Sequence, residues 1–433
     1  MIGLLLSHAI HARAWISSGM AAKIADRWPL RLLMPGPLAE MARPWLPAKC
    51  EVFVTHGCQG GPIRRRIRGA LRLGSMVARE PESVTYRHKL GQRRSILGKM
   101  EIALWRAIRR WANPENLARR VEAALPPKRH AREAVDGLRL LLWPTLIHTD
   151  NAELDLVKSA RTDRCQILSI PASWDNLTSK GGYLVKPDGL AAWGEASKGH
   201  AIRHHGFRAD QVVVTGPLHW EGYAESPHPL PELAGKPTVL VAGTSVNYWS
   251  DEWRILEALG QAGLTHDFRV LFRPHPRGAW GWHLRDVMPP GVSRDPQIER
   301  WIAQGRRGWS LDPADLAYYP HLMASVCAVV AAFSSMVIEA ALLRKPSLLV
   351  AFGESRHGPG GAGMHVNYQH IAEVAAWPGV TVCRTLSEIL DGVLRSVEHP
   401  GTNHVLQVKA QEVARVGGAQ DRMLMEIERW MAS

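Results

Sequence analysis

Residues 169–193, SIPASWDNLTSKGGYLVKPDGLAAW, carry the reading of the fold. The apolar positions Ile167, Leu168 and Ile170 form a strand that Pro171 stops. Ser173, Asp175, Asn176, Thr178, Ser179 and Lys180 then crowd the exit, Gly181 and Gly182 follow, and a second apolar run begins at 189. In an open α/β sheet, a polar loop at the carboxyl end of a strand is where ligands bind. Trp174, Asn176, Thr178, Ser179 and Lys180 are therefore candidate ligand contacts, and Asp175 is a candidate base. The competing reading is an ordinary connection whose Asp, Asn and Ser side chains bond their own turn.

Strand and helix patterns alternate on both sides of this stretch, which predicts parallel sheets with helical crossovers. Strands are expected over 2–7, 30–34, 51–55, 140–149, 166–170, 189–193 and 211–215, with helices over 15–27 and 152–160. Residues 224–237, AESPHPLPELAGKP, hold four prolines and no apolar period, which is the composition of a linker. Beyond it the alternation restarts, with strands over 238–242, 269–273, 328–332 and 347–350 and helices over 251–261 and 335–343. The expectation is an α/β protein of two Rossmann-like, doubly wound domains. They span 1–223, with an insertion at 61–130, and 238–403, and a helix over 404–433 packs back across the first domain.

At 433 residues, 46% of them hydrophobic, the chain is long and apolar enough for two such cores. Five cysteines, at 50, 58, 165, 327 and 383, form no CxxC pair, so buried thiols in a reducing cytoplasm are expected and a metal site is not. The opening MIGLLLSHAIHARAW has no basic residue before its short apolar run, so it reads as a strand and not as an export signal. No stretch approaches the ~18 apolar residues that a membrane span requires.

The net charge of +13 is local. Residues 61–130 carry eighteen Arg or Lys against five Glu, an excess that accounts for the whole of it. Within that segment, 93–111, RRSILGKMEIALWRAIRRW, sets an apolar helical stripe among arginines. Such a helix suits an anionic membrane surface, with Arg64, Arg65, Arg66, Arg94, Trp105, Arg109 and Arg110 as candidate contacts. A core-packed helix with a solvated basic face is the alternative. A nucleic-acid partner is not expected, because recognised binding motifs are missing and the aromatics make one stripe, not a stacking platform.

Three segments carry chemistry. In RVLFRPHPR, 269–277, Arg273, His275 and Arg277 leave a strand end among prolines, a grouping suited to a pyrophosphate. In AAFSSMVIEAALLRKPSLLV, 331–350, Ser334 and Ser335 stand where a strand turns into a helix, and Glu339 one turn on is placed to accept a ribose hydroxyl. His8 and His11 occupy the loop after the first strand, where either is a candidate general base beside Asp175. Gly360 to Gly363 form a glycine-rich stretch that is either a lid or a loop. There is no GxSxG, HExxH, P-loop or GxGxxG, which removes the main support for hydrolase, metalloprotease and P-loop readings.

SHAIHARAWISSG, SWDNLTSKG, DGLAAWGEASKGHAIRHHGFRADQVVVTGP, RPHPR and FSSMVIEAALLRKPSLLV together resemble bacterial GT-B glycosyltransferases of surface-polysaccharide assembly, of the capsule or lipopolysaccharide type. CDP-glycerol glycerophosphotransferases and non-hydrolysing UDP-N-acetylglucosamine 2-epimerases are related. The resemblance covers roughly 1–20 and 140–360 and leaves the basic segment without a counterpart. It implies two domains facing across a cleft, a nucleotide-activated sugar on the second and a glycan or lipid-linked acceptor on the first. It also implies transfer usually without a bound metal and with no cofactor beyond the nucleotide sugar. His275, Ser334 and Ser335 would then hold donor phosphates with Arg273 and Arg277, Glu339 the ribose, and His8 or His11 would be the base. Trp174, Asn176, Thr178, Ser179 and Lys180 would face the acceptor. The E-x7-E signature of retaining members is absent, since Ser347 stands where the second Glu would follow Glu339, so inversion is implied. Enzymes of this kind work at the inner face of the cytoplasmic membrane. The rivals are a CDP-alditol phosphotransferase, a nucleotide-sugar epimerase and a non-catalytic, membrane-recruited binding protein.

Overall fold

The computed structural model describes residues 1–55, 61–147, 151–244, 252–275, 287–306, 310–332, 334–353, 360–401 and 403–432. They form two compact units, Met1–Glu221 with Leu311–Pro313 and Val413–Ser433, and Gly222–Ser310 with Ala314–Glu412.

In the first unit, β1 (Ile2–Leu5), β2 (Leu30–Met34), β3 (Cys50–Val54), β4 (Leu140–Thr145), β5 (Gln166–Pro171), β6 (Gly189–Ala192) and β7 (Val212–Val214) pair in the order β3-β2-β1-β4-β5-β6-β7. Every pairing is parallel. Both faces of the central strands are covered, which is why β1 and β4 read as largely apolar runs. Leu4, Leu32 and Leu142 enter one core, with Trp15 and Ile24, and Leu5, Leu33 and Leu141 enter the other, with Trp143 and Val157. The second unit repeats the design with β8 (Thr238–Ala242), β9 (Arg269–Arg273), β10 (Val292–Arg294), β11 (Ala328–Ala331), β12 (Ser347–Val350) and β13 (Val380–Cys383), in the order β10-β9-β8-β11-β12-β13. Its pairings are parallel too. Each sheet therefore has one place where the winding reverses: β1 beside β4 in the first, β8 beside β11 in the second.

Several boundaries differ from expectation for local backbone reasons. The helix expected over 15–27 is split into a π-turn at Arg13–Ser17 and a helix at Met20–Ala25, because Gly19 takes a left-handed φ of 81° between them. The strand expected to run to 149 ends at Thr145, whose hydroxyl accepts the amide of Ile147, itself at φ 66°. The tail is two helices, His404–Val413 and Ala419–Ala432, with Gly417 and Gly418 both at positive φ between them. The second of these returns to the first unit, burying Met423, Leu424 and Ile427 in its core, and the Glu221 carboxylate accepts the amides of Gly418 and Ala419 at its start.

The basic segment folds as four helices, Pro62–Arg79, Val84–Gly91, Ile96–Ile108 and Pro114–Ala124. Several of its cations are internal. Arg68 is buried and bonds both Glu122 and Asp155, Lys158 bonds Glu122, and Arg64 grips Asp155 at 2.9 Å. Burial works against the charge on Arg68, but the bonds to Glu122 and Asp155 outweigh it and raise its pKa.

Candidate active site

In the first unit the side chains gather where the winding reverses. β1 delivers Ser7 and His8 to the sheet's carboxyl edge, His11 follows on the Ala9–Ala12 turn, and Glu153 arrives from the Asn151–Thr162 helix after β4. Glu153 is buried, and its carboxylate accepts from the Ser7 hydroxyl, from Trp143 Nε1 at 3.1 Å and from Thr145 Oγ1 at 3.4 Å. His8 Nε2 stands 3.8 Å from the same carboxylate. Ser7 Oγ also lies 3.2 Å from His11 Nδ1. A hydroxyl has one proton, and here it points to Glu153, so Ser7 accepts from His11 and the proton of the imidazole sits on Nδ1. Nε2 is left as a bare lone pair, buried and without a hydrogen-bond partner among the described residues. Burial, and secondarily the neighbouring His8, lowers the His11 pKa to about 3, so the ring is neutral throughout the physiological range.

His11 lines a cavity of about 20 Å³, room for one water, together with Trp15, Pro171, Trp193 and His219. His219 is likewise held neutral, its pKa lowered to about 3 by burial and by Arg13, and its Nδ1 lacks a partner among the described residues. Two imidazoles thus line one small space at the ends of β1, β5 and β6.

The loop after β5 behaves largely as the turn reading expected. Asn176, Thr178 and Ser179 are buried. Asn176 Oδ1 accepts the Ser173 amide, Thr178 Oγ1 donates to the Asp175 carbonyl, and Ser179 Oγ donates to the Asp175 carboxylate at 2.8 Å. Trp174 is buried as well. The side chains of Asn176, Thr178 and Ser179 thus bond within their own turn. Asp175 is held by that turn, and Lys180 is half-exposed with Nζ 3.9 Å from Asp175. Lys89, from the inserted Val84–Gly91 helix, donates to the Ser179 carbonyl, and burial followed by Lys180 brings its pKa down to about 8.

In the second unit, β9 and β11 flank β8, so His275 and the Ser334–Ser335 pair leave the same carboxyl edge on either side of the reversal. Gly243, just past β8, is packed against the backbone of Arg273 to His275, where an added Cβ would come within 2.9 Å of the His275 amide nitrogen. Ser334 Oγ accepts the Met336 amide, and Ser335 Oγ donates to Glu339 at 3.2 Å. Glu339 is buried and also accepts from Tyr223, whose pKa is pushed well up by burial and by that carboxylate. Arg273 is placed differently from expectation. Its fork is occupied by Asp295 at 2.6 Å and Gln297 at 2.8 Å, and its plane lies 4.2 Å over Tyr319. It is buried, and it organises the strand end instead of presenting a cation. Arg277 lies outside the described residues. Gly360–Gly363 forms a 3-10 turn.

Ser7, Glu153 and His219 were not singled out from the sequence. Glu153 is an unremarked acid within a helix, and only the placement of β4 beside β1 brings it to Ser7. Among the membrane candidates, Trp105 is buried over Gly74, Arg64 pairs with Asp155, Arg66 with Glu101 and Arg109 with Glu80. Arg65, Arg94 and Arg110 are exposed.

No family model matches the chain, and no curated protein does. Solved structures do. The chain is similar over 100% of its length to all of the UDP-GlcNAc 2-epimerase from Neisseria meningitidis bound to UDP-GlcNAc, at 11% identity and a TM-score of 0.54. It is similar, again over its whole length, to 98% of the calicheamicin glycosyltransferase, at 14% identity and a TM-score of 0.54. Against the UDP-GlcNAc 2-epimerase from Methanocaldococcus jannaschii, 99% of each chain is covered, at 10% identity and a TM-score of 0.51. The fold is GT-B: two Rossmann-like parallel sheets in one chain.

Proposed function

We propose that the protein is a glycosyltransferase that moves a sugar, with inversion, from a nucleotide-activated donor to a hydroxyl of a surface-glycan or lipid-linked acceptor. The observation that carries the reading is the His11–Ser7–Glu153 relay at the winding reversal of the first sheet. His11 Nε2 takes the acceptor proton as the acceptor oxygen forms its bond to the anomeric carbon. The bond from that carbon to phosphate breaks and its electron pair leaves with the nucleotide. Burial alone makes His11 a reluctant base, and the Glu153 charge, reached through Ser7, stabilises the imidazolium that forms. At the reversal of the second sheet, His275, Ser334 and Ser335 hydrogen-bond the departing phosphates and Glu339 accepts the ribose hydroxyls. The polysaccharide setting is supported by the shared sequence segments, and a donor carrying a nucleotide by the UDP-sugar bound in one structural neighbour.

A nucleotide-sugar 2-epimerase is the second reading, favoured by the epimerases among the similar structures. Epimerisation through elimination needs several carboxylates around the sugar, and the sequence offers only Asp175 and Glu339 as candidates for that place. The experiment is incubation with a panel of UDP-, GDP-, dTDP- and CMP-sugars and glycan acceptors. A transferase releases one nucleotide per sugar moved, and an epimerase converts the sugar without net release. His11→Gln is expected to lower acceptor-dependent release by at least about 100-fold. Unchanged release would remove His11 from the chemistry, and sugar conversion without release would favour the epimerase.

A further inference from the structure

The Ile96–Ile108 helix is apolar on two sides. Its inner side buries Ile102 and Trp105 against Leu71, Leu73 and Val77 of the Pro62–Arg79 helix. On its outer side Ile96 is 77% exposed, Leu97 63%, Met100 61% and Leu104 60%. At 3.6 residues per turn those four positions fall within an arc of about 100°. Beyond the helix end Trp111 is 90% exposed, and at the start of the Pro62–Arg79 helix Ile63 is 78% exposed. Arg66 of the Pro62–Arg79 helix pairs with Glu101 in the middle of the Ile96–Ile108 helix. An apolar helix face is stable when something covers it, and no segment of the described chain covers this one.

The charges around it say what the cover is. Arg93 and Arg94 precede the helix, Lys99 and Arg110 lie along one flank, and Arg65 lies two positions after Ile63, about 200° round its helix. All five are exposed, and none has an acidic partner among the described residues, whereas Arg64, Arg66, Arg106 and Arg109 are each paired with one. A second copy of the chain would bring the same cations against this ring, an arrangement that like charges oppose. Aliphatic side chains at the centre offer no platform for stacking bases.

We propose that this face docks on an anionic lipid bilayer, with Ile96, Leu97, Met100 and Leu104 entering the headgroup boundary and the free cations meeting the lipid charge. The proposal does not rest on the transferase reading, and its test uses no nucleotide or acceptor. The full chain is sedimented with vesicles of phosphatidylcholine alone and of phosphatidylcholine with ~30% phosphatidylglycerol, a composition chosen to give a strongly negative surface. Binding is expected to the anionic vesicles only and to weaken with salt. Arg93→Ala with Arg94→Ala should lower partitioning by about 30-fold, on the scale of about fivefold per cation near such a surface. Leu97→Glu with Leu104→Glu should abolish it while leaving the circular dichroism spectrum and melting unchanged, since both positions are exposed. Equal binding to neutral and anionic vesicles overturns the proposal. So does unaltered binding of the Leu97/Leu104 variant, or a concentration-dependent dimer, seen by light scattering, that this variant dissociates.

Discussion

Ser7 Oγ lies 3.2 Å from His11 Nδ1 while donating its proton to Glu153, so one hydroxyl fixes the tautomer of the histidine. Ser7→Ala leaves His11 buried but removes the group that tells Nδ1 from Nε2. Turnover should fall by about tenfold to 1,000-fold with the donor KM unchanged, since Ser7 is a positioning residue and does not bind donor. Ser7→Thr, which keeps the hydroxyl, should recover part of the loss. Steady-state kinetics on the three proteins separate this from misfolding, which would lower the active fraction without favouring Thr over Ala.

The buried imidazoles make the first unit acid-sensitive. His11 and His219 are each lowered from 6.5 to about 3, and His205 is also lowered well below its usual value by burial and by Arg79. In each case the unfolded chain binds a proton that the folded one refuses. Stability is therefore full above the unfolded value near 6.5 and is lost as pH falls toward 3, at about 1.4 kcal/mol per pH unit for each group. Peptide-resolved hydrogen exchange between pH 7 and 5 should show protection falling across β1, β4, β5 and β6. His219→Asn should reduce that dependence by about one third, and an unchanged slope would mean that His219 is solvated.

Glu252 gives the second unit the opposite slope. Burial raises its pKa from 4.5 to about 8, with only the Thr244 amide donating to the carboxyl in the other direction. Here the folded chain holds the extra proton. Stability is full below about 4.5 and declines as pH rises through 8, at about 1.4 kcal/mol per pH unit. Glu252→Gln removes the titration. Exchange protection of β8 and β9 in the variant should stay level between pH 5.5 and 8, where the wild type loses it.

Sequence patterning found the seven strands of the first sheet and four of the six in the second, because strands buried on both faces are largely apolar, as 32–34 and 239–242 are, while the short edge strands β10 and β13 gave no such run. It also placed the loops after β1, β9 and β11 at the carboxyl edges of their sheets. What it could not supply was distance. Glu153 joins Ser7 from 146 positions away, and Asp295 reaches Arg273 through a β9–β10 pairing that no local pattern announces. Nor could periodicity tell the two apolar sides of the Ile96–Ile108 helix apart. Trp105 turns inward and Leu104, its neighbour in sequence, turns out.

Arg273 shows how that difference decides an experiment. An arginine at a strand end beside a histidine suggests a phosphate contact, and its replacement would then raise the donor KM in a protein that still folds. The structure instead encloses its guanidinium between Asp295, Gln297 and the Tyr319 ring. Burial opposes the charge, but Asp295 and Tyr319 hold the pKa above its ordinary value. Asp295 in turn accepts from Tyr318 and caps the Pro296–Ala303 helix through the Gln297 amide. Arg273→Ala leaves that carboxylate buried and without its cation, a loss of about 3–5 kcal/mol. The expected outcome is a drop in the melting temperature of the second unit, with the donor affinity of the remaining folded protein little changed. Arg273→Lys should recover little, because an ammonium cannot bond Asp295 and Gln297 together while stacking on Tyr319. His275→Ala is the matched control: it should weaken turnover without the thermal loss, and a thermal loss equal to that of Arg273→Ala would make His275 part of the same structural cluster.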